Sequence, residues 1–99
     1  MAVTVQTRWK GAKRADIERI GREAKLRMEA CGAEHFGISL THTGEHTGQW
    51  LVTVRYADWA AYAKAVEAIA ADQRYQQLFA EASGIAEIMT RNVMIELDL

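Results

Sequence analysis

The sequence predicts an α+β domain whose elements run strand, helix, strand, strand, helix, strand. Three observations carry this: four stretches in which apolar residues alternate with polar ones, two longer stretches with apolar residues at helical spacing, and no proline to break either pattern. At 99 residues the chain has the size of one domain, and so short a chain buries only about two-thirds of its extended surface. One domain over residues 1–99 follows.

Val3, Val5, Thr7 and Trp9 alternate with Thr4, Gln6 and Arg8, the period of a half-buried first strand. A basic connector from Lys10 to Arg14 leads to a helix with Asp16 in its first turn, where a carboxylate complements the positive end of the dipole. Ile17, Ile20, Gly21, Ala24 and Met28 form its apolar stripe, and Gly32 suits its C-terminal end. Phe36, Ile38 and Leu40 mark a second strand, and Trp50, Val52, Val54 and Tyr56 a third, joined by polar and glycine residues from His42 to Gln49, of which His42 to Gly48 is expected to be mobile. Asp58 is placed to cap a second helix carrying Trp59, Tyr62, Val66 and Ile69. Asp72 caps a continuation through Tyr75, Leu78 and Phe79, after a break near Ala71, with Gly84 as terminator. The last strand is expected within Met89 to Leu97. These elements pack as a four-stranded antiparallel sheet in the order 4-1-3-2, with the two helices on one face. The other face, bearing Thr4, Gln6, Arg8, Leu51, Thr53, Arg55 and Met94, is mixed rather than fully polar, and a second copy is expected to cover it.

The formal net charge of -1 leaves no basic excess for phosphates, so nucleic acid is not an expected partner. A single cysteine, Cys31, cannot form an internal disulfide, and no apolar run is long enough for a membrane span, which points to the cytoplasm and away from a membrane. Cys31 at a helix C-terminus lacks the dipole that activates thiols. No serine–histidine–aspartate order, phosphate loop or paired-cysteine motif occurs.

The element order, the aromatic-led second helix at Ala57–Tyr62 (ADWAAY) and the stretch Ala70–Phe79 (AADQRYQQLF) together make the chain similar to the dimeric α/β-barrel superfamily. These ferredoxin-like βαββαβ proteins include antibiotic-biosynthesis-type monooxygenases and NIPSNAP-like proteins. The resemblance spans nearly the whole chain and implies a homodimer with sheets packed face to face. It also implies a cavity between sheet and helices, or between sheets, as the seat of any activity. It does not select an activity.

Arg8 and Arg55 stand out, because the first and third strands are expected to run parallel and adjacent, with both arginines near the C-terminal ends on one face. There they would clamp a carboxylate or phosphate, with Gln6 beside them; the alternative is that they pair with Glu96 or with a carboxylate across a dimer interface. Trp9, Tyr56 and Tyr62 are core aromatics that would also wall a pocket for a flat apolar ligand. His42 and His46, four residues apart in a glycine-flanked loop without a third ligand, give no preformed metal site, and neither metal nor cofactor is expected. The expected function is binding of a small acidic or aromatic organic molecule by a homodimer. The alternatives are a cofactor-independent monooxygenase or isomerase, and a structural or interaction module without a ligand.

Overall fold

The computed structural model describes residues 1–99. Strand β1 (Val3–Gly11) leads into helix α1 (Arg14–Ala30), strand β2 (His35–Leu40) and strand β3 (Trp50–Tyr56). Helices α2 (Trp59–Ala71) and α3 (Gln73–Ile85) then precede strand β4 (Ala86–Ile95). The sheet order is β2-β3-β1-β4, the expected order met from the other edge. Asp58 accepts the Ala61 amide at 2.8 Å, and Asp72 accepts the Tyr75 amide at 2.9 Å. Each thereby satisfies one of the amides that a helix start leaves without a partner. Asp72 is why the helical stretch is two helices: its extended backbone ends α2, and its carboxylate starts α3.

Two expectations at the end of α3 are corrected. Gly84 lies within the helix rather than ending it, and β4 begins directly at Ala86 with no loop between. The pairing of β2 and β3 continues past Leu40 at the base of their connection: the Thr41 amide donates to the Gln49 carbonyl at 2.9 Å and the Gly48 amide to the Thr41 carbonyl at 2.8 Å.

All paired strands are antiparallel, β1 with β3 included. The parallel arrangement expected of β1 and β3 is therefore wrong, for a topological reason. The crossover through α1 makes β2 parallel to β1, and the hairpin reverses direction into β3, which lies between them. Direct pairs across an antiparallel ladder share a face. Val3, Val5, Thr7 and Trp9 thus join Tyr56, Val54, Val52 and Trp50 beneath the helices. Val93 and Ile95, opposite Val5 and Val3, join the same face.

The core gathers Val3, Val5, Met28, Phe36, Val54 and Tyr56 with the small residues Ala24, Ala33 and Ala65. Alanines let helices approach closely, and the approach is closest at Gly21, where a Cβ would stand 2.6 Å from Ile38 Cδ1, the movable end of that side chain. Gly21 is where α1 touches β2. Helix α3 is tied to α1 by two ion pairs, Arg74 with Glu23 and Arg19 with Glu81. Edge strand β4 is covered least, with only Ala86 shielded even partly from solvent. No helix is long and apolar enough to cross a membrane.

Candidate functional site

Between the sheet and helices α1 and α3 lies a cavity of about 120 Å³. Seventeen of its twenty lining residues are hydrophobic; the others are Thr7, Gly21 and Arg91. Helix α1 contributes Ile17, Ile20 and Met28, and α3 contributes Tyr75, Leu78 and Phe79. Trp9 packs edge-on against Phe79 with ring centroids 5.7 Å apart, and Tyr75 lies 6.5 Å from the same ring.

Arg91 is the one charged side chain on the wall. It faces inward because it stands opposite Thr7 on β1, in the register that turns Val93 and Ile95 to the helix side. A bulge between Arg8 and Trp9 then places Ile88 opposite Trp9, so Ile88 also reaches the cavity. Of the eight arginines in the chain, six form ion pairs with carboxylates; Arg8 and Arg91 do not. A guanidinium on an apolar wall with no internal carboxylate is available to an incoming oxygen.

Two phenols share its field. Burial, reinforced by the neighbouring Tyr75 and Tyr62, pushes the Tyr56 phenol up to about 12, while Arg91 pulls it down. Burial likewise raises Tyr75, again against the pull of Arg91. Both phenols stay protonated at neutral pH and can donate hydrogen bonds. The apolar space is therefore lined by one cation, on β4, and two neutral donors, Tyr56 on β3 and Tyr75 on α3. Burial, then Asp72, raises the Cys31 thiol, so it is a poor nucleophile.

The residues singled out from the sequence divide between two places. Trp9 and Tyr56 line the cavity. Tyr62 stands behind it, edge-on to Tyr56 at 5.3 Å, with Trp59 5.6 Å further out. Gln6, Arg8 and Arg55 lie on the opposite face of the sheet. Antiparallel pairing puts Arg8 across from Leu51 and Arg55 across from Thr4, at opposite ends of the ladder. Four residues of strand separate the two rows, roughly 13 Å, so the arginines are not a clamp. Arg8 bonds the Thr41 hydroxyl at 3.1 Å. Arg55 reaches Glu34 at 2.8 Å and Glu96 at 3.0 Å, and Glu96 chiefly holds its guanidinium protonated. Pairing with Glu96 was the alternative reading of Arg55, and it is the geometry found.

The pattern of the NIPSNAP family matches residues 8–98. The chain belongs to the NIPSNAP family. A NIPSNAP domain protein from Burkholderia xenovorans has a similar structure at 17% identity, with a TM-score of 0.72 over 98% of this chain and 95% of that one. A NIPSNAP family protein from Agrobacterium tumefaciens follows at 16% identity and 0.67, over 99% and 95%. A mutant of SnoaB, a cofactor-independent oxygenase from Streptomyces nogalater, has a TM-score of 0.74 at 10% identity over 99% and 95%. At these identities the likeness is one of fold. No curated protein is significantly similar in sequence.

Arg91 is the residue of this NIPSNAP chain that the sequence reading missed. A signal was present: Arg91 has the same parity as Val93, Ile95 and Leu97, so it is a charge on the apolar register of the last strand.

Proposed function

We propose that residues 1–99 form one dimeric α/β-barrel domain whose cavity binds a small aromatic or acidic organic molecule, an electron-rich oxygen of the ligand meeting Arg91. The observation that carries this is the guanidinium of Arg91, without a carboxylate partner, on the wall of an otherwise apolar cavity. Trp9 and Tyr56 supply flat walls, and Tyr62 fixes the Tyr56 ring from behind. A compact aromatic acid, 2-naphthoate, is a suitable probe. A hydrogen bond to a charged group contributes about 2 kcal/mol, so Arg91→Met should weaken 2-naphthoate roughly 30-fold. Its melting temperature should stay near that of the wild type, since no carboxylate loses a partner. Unchanged affinity, measured by titration calorimetry, would sink the assignment of Arg91.

A second copy is the expected cover for the free sheet face. Met94 there and Val93 and Ile95 on the helix side of β4 are each about 40% exposed, and only 14 of 99 residues are buried in one chain. Apolar exposure on both sides of one edge strand is more than single scattered residues explain. Gln6, Arg8 and Arg55 then belong to the region between copies. Sedimentation at micromolar concentration should give a dimer; a monomer alone would refute this part.

The fold likeness to SnoaB favours one further reading, a cofactor-independent oxygenase or isomerase. Arg91 would then stabilise an enolate oxygen, with Tyr56 or Tyr75 as proton donor.

A further inference from the structure

A second concavity of about 450 Å³ runs along the outside of α1 against the free edge of β2. It shares Ile17, Gly21, Phe36, Ile38 and Trp50 with the inner cavity, so a single layer of side chains separates the two spaces. At Gly21 that layer is thin. No side chain projects from α1, and the space is taken by the end of Ile38, a flexible side chain that is itself only half-buried. Rotamer changes of such side chains are fast, so Ile38 is the movable part of the layer.

The groove differs from the cavity in charge. Its rim carries Arg14, Arg22 and Lys25 against one carboxylate, Glu18. Arg14 and Arg22 both bond Glu18, at 2.7 and 3.1 Å, and Lys25 has no carboxylate partner. The rim is therefore positive on a chain whose formal net charge is -1. Phe36, Ile38, Leu40 and Trp50 make the floor apolar. An apolar path leads inward from a cationic mouth.

We propose that groove and cavity are one continuous site for an elongated amphipathic anion, its hydrocarbon body passing Ile38 into the cavity and its carboxylate or phosphate end held at Arg22 and Lys25. This rests on the cavity reading above and adds the length of the ligand and the place of its charged end. The inner end, toward Arg91, suits a hydroxyl or carbonyl oxygen. The rim charges also speed capture of the anion, and exposed charges act less at high salt.

The test uses the full chain with two probes, dodecanoate and 2-naphthoate, followed by quenching of tryptophan fluorescence, since Trp50 lines both spaces and Trp9 the inner one. Dodecanoate should bind at least tenfold more tightly than hexanoate. Neutralising the rim by Arg22→Gln with Lys25→Gln should weaken dodecanoate at least tenfold and change 2-naphthoate less than twofold. A second measurement needs no variant: the association rate of dodecanoate with the wild type should fall severalfold between low and high sodium chloride. Binding of 2-naphthoate without dodecanoate, or a dodecanoate affinity indifferent to both the rim variant and salt, overturns the elongated site and leaves the cavity reading standing. Failure of both probes to bind overturns the two together. A phosphate end is distinguished from a carboxylate end by comparing dodecyl phosphate with dodecanoate at the same salt.

Discussion

Leu78→Ala should destabilise the protein by about 4–5 kcal/mol, lowering its melting temperature by roughly 16–40 °C in a domain of this size. Leu78 is 1% exposed and sits at the middle of α3 on the cavity wall. The cost has two parts, the lost transfer of the isobutyl group from water and the unfilled volume it leaves. The second part should be near its upper end here. The neighbouring wall cannot collapse inward because it already borders a cavity, and α3 is held against α1 by the Arg74–Glu23 and Arg19–Glu81 pairs. The substitution therefore enlarges an existing space instead of creating one that repacks. Thermal melts at fixed protein concentration check this. A loss of only a few degrees would mean that α3 shifts to fill the gap and that the cavity is plastic. The same variant offers a gain: bulkier aromatic acids should bind it better than the wild type.

The course of the chain was legible because each element carries its own periodic pattern and its own stop. Asp58 and Asp72 read as caps and act as caps, since a short carboxylate before a helical stripe has one dominant use. Alternation also placed Val5, Val54 and Tyr56 in the core. What alternation does not contain is strand direction, which follows from how many times the chain reverses. The assumed parallel pairing of β1 and β3 moved Arg55 to the wrong end of the ladder beside Arg8, and the proposed clamp rested on that error. Arg91 was lost for a different reason. Arg91 is solvent-exposed on an edge strand, and its place on the helix side of the sheet shows only once the register across from Thr7 is known. Tyr56 and Trp9 were found because large aromatics on the buried register have few other places to go, whereas the close approach at Gly21 depends on a distance between elements that no local pattern encodes.

Alkaline pH should unfold the protein partly through Tyr56. An exposed tyrosine ionises near pH 10, while the folded phenol, buried in the core, is held up to about 12. Between these values the unfolded chain has released a proton that the native state retains, so stability falls as pH rises through that window. Below about pH 10 the phenol is neutral in both states and its contribution is complete. Across the whole window the loss from this one group approaches about 3 kcal/mol, and at about pH 11.5 it should be near 2 kcal/mol. Tyr56→Phe keeps the ring against Tyr62 and removes the titrating hydroxyl. Urea unfolding of wild type and variant at about pH 9 and about pH 11.5 separates this group from the lysines and other tyrosines, whose titration is common to both proteins. The variant should lose about 2 kcal/mol less between the two conditions. Equal losses would mean that the Tyr56 hydroxyl reaches solvent in the folded state, which would also open the Arg91 side of the cavity to water. A much larger gap would instead mean that ionising Tyr56 releases Tyr75 as well, the two phenols being raised by the same burial and facing the same guanidinium.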